Sequence, residues 1–165
     1  MARRHIHYEA AFEDYLRSRG LAYVAVDETR KAIFAGARVK SFDFLVYHNG
    51  GCNRLVDVKG RKFPYDTAGN SRQWENWVTE EDLQSLTEWE RVFGEGFEAV
   101  LVFAYWLTSS GADAPFHSLH PFRGEYYAFL AVSLSAYRSR SVRRSPKWGT
   151  VTVPTKAFRE LASAF

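Results

Sequence analysis

The chain has 165 residues, of which 46% are hydrophobic and 16% aromatic, enough apolar material for the core of one compact domain spanning residues 1–165. No apolar run approaches the roughly 18 residues of a membrane span, and the first residues do not lead into the apolar region of a signal peptide, so we expect a cytoplasmic protein without membrane contact. The single cysteine, Cys52, excludes an internal disulfide and a cysteine-rich zinc site. The net charge of +3 is too small to identify a partner.

The first predicted element is an amphipathic helix near the N-terminus. Its apolar stripe follows the i, i+3, i+4, i+7 spacing and consists of Tyr8, Ala11, Phe12, Tyr15 and Leu16. Gly20 ends the helix. At about 100° per residue, Glu9 falls at the edge of this stripe, where its carboxylate can lean over an adjacent sheet. An acid in the first turn is equally explained by its favourable interaction with the helix dipole.

Two strand patterns separated by a turn follow. Residues 41–47 and 54–59 are rich in aromatic and β-branched side chains, and the Asn-Gly-Gly sequence between them favours a hairpin. If the turn centres on the first of these glycines, residues whose numbers sum to 100 face each other. Asp43 then lies opposite Asp57 with a Cβ separation of about 4.5–5.5 Å. Because side chains alternate along a strand, Asp57 and Lys59 share one face and the valines beside them point to the other.

Two carboxylates this close are costly on a half-buried sheet face unless a proton or a cation lies between them. Asp43 and Asp57 offer oxygen ligands of the kind that Mg²⁺ or Mn²⁺ uses, and the Val58 carbonyl is a third. Lys59 supplies an amine that orients or helps to deprotonate water, so the group suits metal-dependent hydrolysis of a phosphodiester. The alternative is an ordinary ion pair between Asp57 and Lys59. A one-residue slip or a bulge would send Asp43 to the other face.

The middle of the chain predicts a loop and then a helix. Residues 63–73 are polar and contain glycine and proline, which is typical of a loop, and Gln73 could contact a substrate there. A helix is predicted over Thr79–Phe93, with a capping-box acid in its first turn. Trp74 and Trp77 lie just before this helix. For both we prefer buried packing to stacking on bases.

The last third of the chain predicts further strands and a terminal helix. Residues 99–107 form a continuous apolar run that suits a central strand buried on both faces. A loop over 108–123 separates it from a strand over 126–134. A short strand over 150–153 precedes a helix that opens at residue 154.

Basic residues occur in several segments that together could form a surface for phosphates. Arg61 and Lys62 are the strongest candidates because they leave the sheet directly after Lys59. The others are Arg38, Lys40, Arg138, Arg140, Arg143 and Arg144. For residues 138–147 alone, a solvated basic loop is as good an explanation.

Glu9 on a first helix, Asp43 on one strand and Asp57-x-Lys59 on the next resemble the PD-(D/E)XK nuclease superfamily, in particular its archaeal Holliday-junction-resolvase-like branch. Phe42 stands where that motif has its proline, and Asp57 stands where Glu is more common. The resemblance covers about residues 6–105. It implies an α/β, restriction-endonuclease-like fold.

In such a fold an αβββαβ core, here about residues 6–107, forms a mixed central sheet flanked by helices. The segment 108–165 would then add C-terminal strands and a helix to this core.

The resemblance also implies roles for these residues. Asp43 and Asp57 would be metal ligands, Lys59 the catalytic lysine and Glu9 an outer or second-metal ligand. The cofactor would be Mg²⁺ or Mn²⁺, the partner a nucleic acid, most commonly DNA, and the protein a homodimer. We therefore expect a metal-dependent deoxyribonuclease. Two alternatives stay open: a catalytically silent nucleic-acid-binding or assembly module on the same fold, and a structural α/β protein whose acids form plain ion pairs.

Overall fold

A computed structural model describes residues 6–27, 32–34, 37–108 and 114–165. The helices in these ranges are α1 (Ile6–Ser18), α2 (Glu80–Phe93), α3 (Leu134–Arg140) and α4 (Thr155–Leu161). The strands are β1 (Tyr23–Ala25), β2 (Ala32–Phe34), β3 (Ala37–Val39), β4 (Phe44–Val46), β5 (Asn53–Phe63), β6 (Tyr65–Thr67), β7 (Asn70–Arg72), β8 (Val78–Thr79), β9 (Phe97–Leu107), β10 (His120–Phe122), β11 (Glu125–Ser133), β12 (Val142–Ser145), β13 (Thr150–Thr152) and β14 (Ser163–Ala164).

A mixed sheet of seven strands forms the centre of the fold. Its order is β1-β4-β5-β9-β11-β10, and β14 also pairs with β11. β5 and β9 run parallel over all 11 residues of each strand, and the other neighbours are antiparallel. A parallel pair needs a crossover connection, which here includes α2. Three smaller sheets, β12-β13-β8, β2-β3 and β6-β7, lie outside this central sheet.

Helices cover both faces of the central sheet. α1 packs through residues such as Phe12 against one face, which includes Val56 and Val58 of β5. α2, α3 and α4 pack against the other face. Because side chains alternate along β5, Asp57 and Lys59 point toward the α2 side. Within the described ranges, no helix is long and apolar enough to cross a membrane.

The main sequence predictions of local structure are confirmed. The hairpin pairs Phe44 with Val56 and Val46 with Arg54, which is the predicted register. The predicted helix at residues 79–93 begins at Glu80, directly after its N-cap residue Thr79. The apolar run at 99–107 lies inside β9, the strand that is buried on both faces of the sheet.

Two segments predicted as loops, and a third for which a solvated loop was one of two explanations, contain regular structure instead. In residues 63–73, β6 and β7 form a small hairpin around Gly69, whose φ of 80° suits a tight turn. In residues 108–123, β10 pairs with β11. The basic segment 138–147 consists of the end of α3, the strand β12 and a turn. These strands are short and mostly exposed, so the alternation of apolar and polar residues that predicts a strand is missing from them.

Candidate active site

Asp43 immediately precedes β4, at the point where β5 continues beyond its pairing with β4. A regular continuation of the register would put Asp43 directly opposite Asp57. The chain bends here instead: the Asp43 N–H donates to the Val56 carbonyl at 2.8 Å, and Asp43 Oδ2 accepts from the Val58 N–H at 2.6 Å. The carboxylate therefore lies beside the edge of β5, and its backbone and side-chain bonds bracket Asp57. This departs from the directly opposed pair that the turn predicts.

Lys59 joins carboxylates from two different elements. Its Nζ lies 3.0 Å from Asp57 Oδ2 and 3.1 Å from Asp82 Oδ2, in the first turn of α2. Asp82 Oδ1 lies 3.1 Å from Lys40 Nζ, and Glu81 Oε2 lies 3.4 Å from the same amine. These contacts form a chain of alternating charges that connects β5 to the start of α2.

Together with Asp43, these five residues form what we call the charged cluster. Four carboxylates and two ammonium groups give it a formal charge of −2 when all six are ionised. The side chains of Asp57, Lys59 and Asp82 are only 12%, 19% and 10% exposed, so water screens their charges weakly. A buried excess of negative charge favours either proton uptake or a bound cation.

Asp82 also helps to cap the N-terminus of α2. Its Oδ2 accepts from the Thr79 N–H at 3.0 Å, and Thr79 Oγ1 accepts from the Asp82 N–H at 3.0 Å, so the two residues form a capping box. The N-terminus of a helix favours negative charge. One carboxylate therefore accepts a backbone N–H at the start of α2 and pairs with the ammonium of Lys59. This pairing fixes α2 relative to β5.

Burial and neighbouring charges move the pKa values of the cluster in opposite directions. Burial, together with the negative charge of Asp82, raises the pKa of Asp57 despite the presence of Lys59. Burial also opposes ionisation of Asp82, but Lys59, Thr79 and Lys40 outweigh it and lower the pKa of Asp82 to about 2. Burial alone would lower the pKa of Lys59, and the two aspartates outweigh it and raise that pKa. Asp57 is thus more ready than Asp82 to take a proton.

Val58 presents backbone groups to the same edge of β5. Its N–H points to Asp43, and the N–H and C=O of one strand residue face the same neighbouring strand. The pairing of β4 with β5 reaches only as far as Val56, so the Val58 carbonyl lies beyond the ladder. Asp43, Asp57 and this carbonyl are the groups that could hold a metal ion. Within the described ranges, no three His, Cys, Asp or Glu side chains gather as a metal cluster.

Glu9 lies in the first turn of α1, the helix that covers the face opposite Asp57 and Lys59. Tyr8 in the same turn packs directly on β5 at Gly60, where an added Cβ would lie 2.1 Å from the tyrosine Cδ2. α1 therefore approaches β5 next to Lys59 but from the other side of the sheet. The role of Glu9 as an outer ligand stays a prediction.

A cleft of about 840 Å³ opens beside β5 directly after Lys59. We call it the basic cleft; its lining includes Arg61, Lys62, Arg72 and Arg144 and the rings of Tyr65, Trp77 and Trp106. Arg61 donates to the carbonyls of Gly60 and Trp77, and its guanidinium carbon lies 4.3 Å from the centroid of the Trp77 ring. Lys62 Nζ lies 5.7 Å from the centroid of the Trp106 ring. Arg61 and Lys62 do not leave the sheet after Lys59 as predicted, because both lie within β5 and pair with Tyr105 and Trp106 of β9. Alternation places Lys62 on the face opposite Lys59.

Three of the other predicted nucleic-acid contacts have partners within the chain. Lys40 belongs to the charged cluster, as described above. Arg138 donates to Thr87 on α2, and Arg140 Nη2 lies 3.9 Å from Glu160 Oε2. These contacts give the three side chains structural roles without removing their positive charge.

The remaining candidates are more exposed. Arg144 is exposed on β12, and its guanidinium carbon lies 5.2 Å from the centroid of the Trp77 ring in the basic cleft. Arg143, next to it, and Gln73, just after β7, are also exposed. The side chain of Arg38 lies outside the described residues. Contact between these residues and a nucleic acid stays a prediction.

Sequence reasoning missed Asp82 and the aromatic residues of the basic cleft as parts of a site. It identified the acid in the first turn of the helix only as a cap. No short-range signal joined Asp82 to Lys59, because β6, β7 and β8 lie between β5 and α2 along the chain and Lys59 is the seventh of the 11 residues of β5. Trp77 was assigned to buried packing, whereas it is only half-buried and lines the cleft. Trp74 is buried as predicted.

Comparisons with protein-family models and with curated proteins find no match. Among solved structures, the chain is similar to Hjc of Archaeoglobus fulgidus, a Holliday junction resolvase from an archaeal hyperthermophile. The TM-score is 0.54 at 14% sequence identity, over 96% of this chain and 94% of that chain. At this identity the likeness shows a shared mixed α/β fold, as expected. The αβββαβ core topology, the roles of the site residues and the homodimer stay predictions.

Proposed function

We propose that the chain is a nuclease that hydrolyses phosphodiester bonds in DNA. The observation that supports it best is that the Asp43 carboxylate bonds the backbone of β5 directly after Asp57, with Lys59 two residues beyond Asp57 on the same strand. Phosphodiester hydrolysis needs oxygen ligands for a cation beside the phosphate and a positive group for the developing charge. The basic cleft, which begins at Arg61, adds the phosphate contacts that a polyanion requires.

The residues fit a hard divalent ion such as Mg²⁺ or Mn²⁺. Proteins usually hold Mg²⁺ by one or two carboxylates and leave its other positions to water and substrate phosphate. Asp43, Asp57 and the Val58 carbonyl supply such a donor set. The formal charge of the cluster and the raised pKa of Asp57 both favour cation binding at this edge. When bound, such an ion polarises the phosphoryl group and lowers the pKa of a coordinated water.

Lys59 has the properties of a positive group rather than of a base. Its raised pKa keeps the amine protonated at neutral pH, so it can donate hydrogen bonds to a phosphate oxygen and stabilise the charge that develops there. Asp57 and Asp82 hold the ammonium from two sides. Asp82 is therefore a positioning residue, which acts on the substrate only through Lys59.

One observation favours a second candidate, a nucleic-acid-binding module that does not cleave. The ammonium groups of Lys59 and Lys40 are already paired with carboxylates of the cluster, so the lysines compensate part of its charge without a metal ion. The two functions differ in metal binding and in cleavage, and each difference can be measured.

Metal binding is tested by thermal unfolding at increasing Mn²⁺ concentration. A ligand that binds only the folded state raises Tm with its concentration. We expect this rise in the wild type and in Glu81→Gln, which alters the 67% exposed rim of the cluster, and its loss in Asp57→Asn. A wild-type Tm that does not respond to Mn²⁺ or Mg²⁺ would contradict the metal site.

Cleavage is tested with supercoiled plasmid, single strands and four-way junctions, each with Mg²⁺, Mn²⁺ or EDTA. We expect the wild type to cleave at least one of these with a divalent ion, and Asp43→Asn and Lys59→Ala to lose this activity. Lys156→Ala removes an exposed lysine of α4 and serves as the matched control, with activity retained. Equal nicking by the wild type and both site variants would point to a contaminating nuclease and refute the proposal.

A further inference from the structure

The basic cleft has a feature that phosphate binding does not require, since flat aromatic rings lie among its cations. We propose that this cleft binds an unpaired nucleobase, so that single-stranded DNA binds there in preference to paired DNA. The substrate class rests on the proposed nuclease function, whereas the base-binding site can be tested without cleavage.

The charge of the cleft suits a nucleic acid strand. Arg61, Lys62, Arg72 and Arg144 face a single acid, Glu75, among the lining residues, which gives a formal charge of +3. Arg72 lies 3.7 Å from Glu75 and Arg61 is bonded to backbone carbonyls, so Lys62 and Arg144 are the lining cations left for phosphates. The volume of about 840 Å³ is within the range of pockets that hold a ligand of nucleotide size.

The rings are presented in a way that suits stacking. Trp106 donates from Nε1 to Glu125 at 3.0 Å, which fixes the plane of its ring at the rim of the cleft. Tyr65 is 43% exposed on the β6-β7 hairpin. The guanidinium groups of Arg61 and Arg144 lie near the Trp77 ring. Every base has a flat face that stacks on such rings regardless of sequence.

A base that enters next to Trp77 can exchange places with the exposed guanidinium of Arg144. The base then gains the ring face, and the displaced guanidinium gains a phosphate of the same strand. Arg61 cannot move in this way, because it is bonded to the carbonyls of Gly60 and Trp77. Arg61 therefore keeps its place beside the Trp77 ring, whereas Arg144 moves to a phosphate when a strand binds.

The position of the cleft relates the bound base to the charged cluster. Lys59 and Lys62 are separated by about 10 Å along β5, at about 3.3 Å per residue, and alternation places them on opposite faces of the sheet. The cleft lies on the Lys62 side, where His7 and Tyr8 of α1 also line it. In a fully paired duplex the base faces are covered by their neighbours, so rings at this distance would contribute nothing to binding. The rings thus distinguish unpaired from paired DNA at the carboxyl end of β5.

The test is equilibrium binding in EDTA, followed by fluorescence anisotropy of labelled 12-nucleotide ligands. The ligands are oligothymidine, an abasic strand of equal length and charge, and a blunt duplex. We expect oligothymidine to bind at least about fivefold more tightly than the abasic strand. Trp77→Leu and Tyr65→Ala should each weaken oligothymidine binding by about 5- to 140-fold, the equivalent of about 1–3 kcal/mol per stacked base. Trp77→Phe should retain most of the affinity.

The control is Trp148→Leu, because Trp148 is 70% exposed and does not line the cleft. We expect wild-type affinity from this variant. Because binding is measured in EDTA and without cleavage, a failure of the nuclease proposal leaves the binding result intact. Thermal unfolding shows whether each variant is folded, and the exposed Tyr65 is a site where substitution spares the core. Equal affinity for abasic and normal strands, or unchanged binding in folded Trp77→Leu and Tyr65→Ala, would overturn the proposal.

Discussion

Replacing Asp82 by Asn tests whether one carboxylate holds both the start of α2 and the amine of Lys59. Asn keeps the size of the side chain and an oxygen that can accept from the Thr79 N–H, but it removes the charge that faces Lys59 and Lys40. The fall in the pKa of Asp82 from 3.8 to about 2 corresponds to about 2 kcal/mol of folding free energy. We therefore expect Asp82→Asn to lower the free energy of unfolding by about 2 kcal/mol at pH 7.

The pH dependence of this loss has a definite sign. The pKa of Asp82 is lower in the folded chain than in the unfolded one, so its contribution is complete above the unfolded value of 3.8 and disappears as the pH falls through about 2. About half of it should remain at pH 3. Urea unfolding of the wild type and the variant between pH 3 and pH 7, followed by tryptophan fluorescence, measures the difference directly.

Glu81→Gln is the matched control. Glu81 pairs with the same Lys40 amine but is 67% exposed, whereas Asp82 is 10% exposed. An exposed pair of this kind contributes about 0–1 kcal/mol. If Asp82→Asn costs no more than Glu81→Gln at pH 7, or if its cost is the same at pH 3 and pH 7, then charge at Asp82 does not hold Lys59 in place.

Asp57→Asn should change the free energy of unfolding in the opposite direction in metal-free buffer. Burial raises the pKa of Asp57, so its ionised form destabilises the folded state above the unfolded-state pKa. The variant should therefore become more stable relative to the wild type as the pH rises from about 4 to about 7. The same urea titrations measure this difference, and a variant that becomes less stable relative to the wild type over that range contradicts it. Gly60→Ala should lower the free energy of unfolding by about 1–3 kcal/mol, because its Cβ would lie 2.1 Å from the packed ring of Tyr8. Gly51→Ala meets only the exposed ring of His48 at 2.7 Å, which can move aside, so equal losses in the two alanine variants would show that packing on Gly60 is not tight. Finally, DNA binding in EDTA should weaken steeply between about 50 and about 200 mM salt, and an affinity independent of salt would exclude a phosphate-binding surface.

Local structure around the site could be predicted because it depends on neighbours in sequence. The Asn-Gly-Gly turn and the alternation on either side of it determine the hairpin register, which the pairing of Phe44 with Val56 confirms. The cap at Thr79 follows from the same kind of short-range pattern. Two of the acids and the lysine were identified in this way, since their order along one hairpin is a local property.

The arrangement of the site was decided by tertiary structure. β4 begins only at Phe44, which leaves the edge of β5 open beyond Val56, and Asp43 bonds the Val58 N–H instead of facing Asp57 across a ladder. Asp82 meets Lys59 because the crossover connection brings the first turn of α2 over the middle of β5.

The basic cleft likewise combines Arg61, Trp77, Trp106 and Arg144, residues that lie far apart along the chain. Turn chemistry and side-chain periodicity act over a few residues and can be read from the sequence. The contacts that give an acid its partner or a ring its cation depend on how whole strands and helices pack, and no short-range pattern encodes that packing.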